Sequence, residues 1–172
     1  MPEEGLTFFA SLIRYVIAIS TTGVVTLFLG MLVPRKCNYR VFPFKPCAFE
    51  AQGRLYFKLR VHKWKDHIPD ASKTITRMTR KAIQKEVDAQ GLERLIQETC
   101  IAEISHFLLI ALCPVYCLFV PIQYGIPFSI LYALGNLPFI ITQRYNRPRL
   151  ILAKEKLEKR EKRKAQREGA KK

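Results

Sequence analysis

The sequence predicts an all-α integral membrane protein with about three transmembrane helices and cytoplasmic interfacial helices. Two observations carry that prediction: three uncharged apolar runs, and basic residues that, Arg14 apart, fall in two blocks. The runs are Val16–Val33, Phe107–Tyr124 and Ile126–Thr142. Each is close to the roughly 17–25 residues that an α-helix needs to cross a bilayer core. The first extends back to Leu6 if Arg14 sits near one end. A secretory signal peptide fits it poorly, because its start carries Glu3 and Glu4 rather than bases and no small-residue cleavage site follows Val33. A retained helix is expected.

The bases set the expected orientation. Residues 34–100 hold 15 Lys/Arg against 7 Asp/Glu, and residues 144–172 hold 13 against 4. No base precedes Arg14, and the expected turn Gln123–Gly125 between the second and third runs has none. By the positive-inside rule the N-terminus faces outside and both basic blocks are cytoplasmic. The expected organisation is an N-terminal transmembrane helix over residues 1–35 and a cytoplasmic interfacial segment over 36–100. A transmembrane hairpin follows over 101–150, and a charged cytoplasmic tail over 151–172. The net charge of +15 would suit nucleic acid, but the apolar runs exclude a soluble nucleic-acid-binding protein.

Within the first basic block, Lys36–Phe49 is rich in proline and aromatics, suited to the headgroup layer. Arg54–Asp66 alternates apolar and polar residues, which permits a strand or an irregular interfacial helix. Pro69 marks a turn. Ser72 or Thr74 is expected to cap a basic helix ended by Gly91, and a longer helix is expected from Leu92 into the second run. Pro114, Pro121 and Pro138 are expected to kink the spans. The tail from Ala153 alternates acids and bases, either as a solvated helix or without order. Its net charge would draw it toward anionic lipid. Five cysteines at these positions do not form a disulfide framework, and Cys113 and Cys117 read as packing residues rather than metal ligands.

Three constellations are candidates for chemistry. Glu103 and His106 are three apart, on one helix face at a membrane entrance. A carboxylate-oriented histidine there can act as a general base toward an alcohol; a structural polar pair is the alternative. The second is Lys63-Trp64-Lys65 with Asp66 and Asp70. It lacks the His-to-Asp spacing of five that glycerolipid acyltransferases use. It reads either as an interfacial anchor or as lysines that bind an acidic donor beside a carboxylate. The third is Asn136 with the run Gln143-Arg144-Tyr145-Asn146-Arg147-Pro148-Arg149. Guanidinium forks pair well with phosphate, and Pro148 is expected to end the helix so that they converge. Positive-inside charge accounts for the arginines but not for Gln143, Tyr145 and Asn146 among them.

These residues resemble the glycosyl-4,4′-diaponeurosporenoate acyltransferase family of bacteria. The matching elements are Lys63-Trp64-Lys65 with Asp70, then Glu98-Thr99 with Ala102, Glu103 and His106, then Asn136-x-Pro138 with Gln143 through Leu150. They cover roughly residues 40–150. The resemblance implies a membrane O-acyltransferase of staphyloxanthin-type carotenoid synthesis, moving a fatty acyl group onto a glucose hydroxyl of a glycosylated carotenoid or lipid. It does not assign catalytic residues; the matched positions are where to seek them, and His106, Glu103 and Asp70 are the expected catalytic group. Binding would fall to Lys63, Trp64, Lys65, Glu98, Asn136, Gln143, Arg144, Tyr145, Asn146, Arg147 and Arg149. The expected partners are membrane lipid, the glycosylated acceptor and a thioester donor, acyl-CoA or acyl carrier protein, with no bound cofactor and no metal. The alternative is a noncatalytic scaffold or lipid-binding subunit of a larger complex.

Overall fold

A computed structural model of the chain describes residues 2–32, 36–68 and 88–170. Among the described residues every regular element is helical. The long elements are α1 (Pro2–Leu32), α4 (Ala89–Ala111) and α6 (Ile122–Gly169). The short ones are α2 (Arg54–Lys58), α3 (Val61–Trp64) and α5 (Cys113–Tyr116), with 3-10 turns at Ala48–Gly53, Lys65–His67 and Cys117–Phe119. Among the described residues, two helices are long and apolar enough to cross a membrane. The count rises to three if α4 and the segment Cys113–Phe119, bent by 41°, form one span.

The chain divides into two compact units: Met1–Pro34 with Ile101–Ile140, and Arg35–Cys100 with Ile141–Lys172. Helices α4 and α6 contribute residues to both.

In the first unit, α1 exposes Leu6, Phe9, Ile13, Ile17, Val24 and Phe28. A helix this apolar on its outward face suits lipid rather than water. Two of its hydroxyls bond back to their own helix: Ser11 donates to the Thr7 carbonyl and Thr22 to the Ala18 carbonyl. Its inward face packs Tyr15 with Cys113, Tyr116 and Val120. The Tyr15 hydroxyl donates to Ser129 Oγ at 2.9 Å, and Ser129 donates to the Cys113 carbonyl at 3.1 Å. Cys113 is buried with its thiol toward the Leu109 and Ser129 carbonyls, and none of the five cysteines is in a disulfide.

The spans end where the prolines dictate. Pro114 has no N–H and its ring opposes the Ile110 carbonyl, so α4 stops at Ala111 and Pro114 sits in the first turn of α5. The reversal falls at Phe119–Pro121, not at Gln123–Gly125 as expected. Val120 is extended, as a residue before proline prefers. The Pro121 carbonyl then accepts from the Tyr124 and Gly125 N–H groups. Gly125 lets the turn close tightly there: a Cβ would lie 3.1 Å from Cys117 Cα.

In the second unit, the Arg54–Asp66 segment is helical rather than a strand. Two short helices are hinged at Arg60, whose φ is +50°. Tyr56 and Val61 pack with Tyr145, Trp64 and Ile141. Burying Val61 and Ile96, both fully buried, contributes roughly 1.5–3 kcal/mol each. Helix α4 begins at Ala89 rather than Leu92, and Gly91 lies inside it. Asp88 Oδ1 accepts from the Gly91 N–H at 2.7 Å, which caps the first turn. The expected helix from Ser72 lies outside the described residues.

Pro148 does not end α6, contrary to expectation; the helix continues to Gly169. An internal proline costs about 3 kcal/mol. Beyond it, the strong helix formers of Leu150–Arg160 favour continuation, and Lys154 is tied to Glu93 of α4 at 2.8 Å. The tail is therefore a helix through Gly169.

Candidate active site

In the first unit, α4 and α6 bring His106 and Asn136 together. His106 Nδ1 lies 2.8 Å from Asn136 Oδ1. The Asn136 amide nitrogen donates to the Tyr132 carbonyl at 2.8 Å, which fixes the amide's orientation and leaves Oδ1 as the group facing the ring. An acceptor on Nδ1 places the proton of the neutral imidazole there, so Nε2 carries the lone pair. The ring also stacks on Phe139, with centroids 4.6 Å apart and an interplanar angle of 19°. His106 is thus half-buried and held on one edge and one face. Glu103, one turn earlier on α4, is fully buried. The sequence reading gave Glu103 the orienting role; on Nδ1 the structure puts Asn136.

In the second unit, the Gln143–Arg149 run faces inward at three positions. Gln143, Tyr145 and Arg147 are buried. Arg147, 2 % exposed, donates from Nε to Thr99 Oγ1, from Nη2 to the Thr99 carbonyl and from Nη1 to the Phe44 carbonyl, at 2.9, 3.1 and 3.0 Å. Its guanidinium lies 5.1 Å from the Phe44 ring centroid. Arg144 pairs through Nε with buried Glu50 and donates from Nη1 to the Pro43 carbonyl at 2.9 Å. The two arginines therefore hold the Pro43–Glu50 segment. They also line one cavity of about 270 Å³ with Tyr39, Pro148, Ile151 and Leu152. Arg149 points elsewhere. It is exposed, with its guanidinium 3.5 Å from the Tyr145 ring centroid and 5.5 Å from that of Phe57.

The other residues named from the sequence are dispersed within this unit. The Trp64 indole donates to the Leu59 carbonyl at 2.9 Å. Lys65 pairs with Asp66 at 2.8 Å. Lys63 is exposed, and Glu98 and Asn146 are half-buried. Asp70 lies outside the described residues.

Two acids were missed. Burial, and then the adjacent Glu50, push the Tyr56 phenol well above its ordinary value. Glu50 had one signal available: it is the lone acid between Lys36 and Lys65. The other is Glu93, which accepts from Tyr39, Gln97 and Lys154. Burial acts to raise the Glu93 carboxyl, but Lys154, Gln97 and Tyr39 together outweigh it and hold it below the ordinary carboxylate range. The Glu93 hydrogen bond in turn raises Lys154. Gln97 clamps the backbone of Cys37, accepting from its N–H at 2.5 Å and donating to its carbonyl at 3.0 Å.

Fold and site define a small helical membrane protein that carries an oriented imidazole in one unit and an arginine-held loop in the other. The model of the glycosyl-4,4′-diaponeurosporenoate acyltransferase family matches residues 40–156. A protein of that name from Staphylococcus haemolyticus is 35 % identical over 120 residues, 66 % of each chain. One from Staphylococcus aureus is 34 % identical over 125 residues, 71 % of this chain and 74 % of its own. The chain belongs to the glycosyl-4,4′-diaponeurosporenoate acyltransferase family. The matched stretch contains His106, Asn136 and the Gln143–Arg149 run. No solved structure shows a significant match.

Proposed function

We propose that the chain moves a fatty acyl group from a thioester donor to a sugar hydroxyl of a glycosylated carotenoid or related glycolipid. The observation that carries this reading is the His106 Nδ1–Asn136 Oδ1 hydrogen bond, in a chain whose relatives are named for acyl transfer to a glycosylated carotenoid acid.

The chemistry follows from the tautomer. Nε2 takes the proton of the sugar hydroxyl as the oxygen attacks the thioester carbonyl. The tetrahedral intermediate collapses, the C–S bond breaks, and the leaving thiolate recovers the proton from the imidazolium. The donor, acyl-CoA or acyl carrier protein, is a substrate, and no bound cofactor is needed. Asp70 remains a candidate for a second acid. Phe139, stacked on the imidazole, gives one side of the base an apolar wall.

Arg144 and Arg147 serve the reaction indirectly in this reading, by fixing the Pro43–Glu50 segment. Arg149, exposed above Tyr145 and Phe57, is the arginine of the run that meets an anionic donor, with Lys63 as a second cation. The N-terminus faces outside and the C-terminus the cytoplasm, where thioester donors are made.

Lipid profiling by mass spectrometry of cells with and without the gene tests this. The expected result is loss of one acylated glycolipid and accumulation of its unacylated precursor. An unchanged glycolipid profile would contradict it.

A further inference from the structure

The charged half of α6 is ordered by charge. Lys156, Lys159, Arg160, Arg163, Lys164 and Arg167 follow the spacing i, i+3, i+4, i+7, i+8, i+11, which is one face of an α-helix. All six are exposed. Glu155, Glu158, Glu161 and Glu168 fall on the rest of the circumference. The alternation read from the sequence is therefore an uninterrupted basic stripe, about 16 Å long at 1.5 Å per residue.

We propose that this stripe docks a soluble, strongly acidic protein that carries the acyl chain as a thioester. The proposal rests on the acyl-transfer reading for the identity of the cargo. Three observations favour such a partner over a lipid surface. The stripe starts 14 residues beyond Thr142, where the uncharged run ends, on an unbroken helix. That is about 21 Å of helix. One headgroup layer is only roughly 5–8 Å thick. Nor does the helix have an apolar face to lay on lipid: from Lys154 to Gly169 its apolar residues are Leu157 and Ala165, and Leu157 is half-buried. Finally, the Lys154–Glu93 pair ties the base of this extension to α4. An extended row of six cations fits the acidic face of a protein better than the compact phosphates of a nucleotide thioester.

The test uses the full-length protein in zwitterionic phosphatidylcholine nanodiscs, with purified holo acyl carrier protein as the probe. Binding is expected at low salt and should weaken steeply as salt rises, because the contact is between exposed charges. Changing all six stripe residues to Gln should weaken binding at least tenfold. A control with Glu155, Glu161 and Glu168 changed to Gln should bind at least as well as the native chain. With acylated carrier as donor, the stripe variant should show at least a tenfold rise in KM, while transfer from acyl-CoA is unchanged. Absence of carrier binding by the native chain, or equal binding by the stripe variant, overturns the proposal. So does a stripe variant that keeps carrier binding but loses attachment to phosphatidylglycerol vesicles. If binding behaves as expected but neither donor supports transfer, the docking surface stands and the acyl-transfer reading falls.

Discussion

The Arg147 guanidinium donates to Thr99 twice, once to its hydroxyl and once to its carbonyl, so one α6 side chain fixes both the backbone and the side chain of a single α4 residue. Thr99 Oγ1 passes the interaction on by donating to the Ile96 carbonyl at 2.6 Å. A buried network of this kind depends on every member being present.

Arg147→Lys keeps the charge and loses the fork. One ammonium cannot reach Thr99 Oγ1, the Thr99 carbonyl and the Phe44 carbonyl in the same geometry. A loss of about 2–4 kcal/mol is expected, read as a lower thermal midpoint in detergent. An unchanged midpoint would show that charge alone suffices there.

Glu50 and Arg144 form a nearly buried pair, with side chains 2 % and 12 % exposed. Removing one partner strands the other. Glu50→Ala should therefore cost about 3–5 kcal/mol, whereas Glu50→Leu combined with Arg144→Met should cost clearly less. Denaturant midpoints of both variants check this. Equal losses would argue that the carbonyl contacts of Arg144 dominate.

The Glu93 cluster makes stability depend on acid. Its folded pKa is depressed, so its contribution is present above the unfolded value of roughly 4.3. The contribution is lost as the pH falls through the lower folded value. The side chains of Glu93 and Lys154 are 34 % and 22 % exposed, which limits the effect to about 1 kcal/mol. Lys154→Met should flatten the acid limb of the pH–stability curve. An identical limb in the variant would remove Glu93 from the account.

Gly125→Ala places a methyl group against Cys117 backbone. The turn must open to admit it, at about 1–3 kcal/mol. The thermal midpoint should fall accordingly, while Gly135→Ala, with open space around it, should have little effect.

What the sequence disclosed followed the strength of its local signals. Apolar run length and charge blocks announced the membrane helices, because the bilayer imposes one period and one length. His106, Asn136 and the arginine run were legible as residues, but their partners were not. Asn136 is 30 positions from His106 and Glu50 is 94 from Arg144, so tertiary packing alone joins them. Pro148 misled because helix termination is a local preference, and the ion pair at Lys154 with the helix formers around it overrode it. The alternation in Arg54–Asp66 suggested a strand as readily as a helix; tertiary packing of Tyr56 and Val61 on Tyr145 selected two helical turns.

The central claim is that Nε2 of His106 removes the acceptor's proton. The direct measurement is turnover of purified His106→Ala beside the native protein, at equal thermal midpoint and with saturating donor and glycolipid. A fall of about 10²–10⁴-fold is expected, with a smaller fall for Asn136→Ala, which leaves the base but not its orientation. Native-level turnover in folded His106→Ala would contradict the claim.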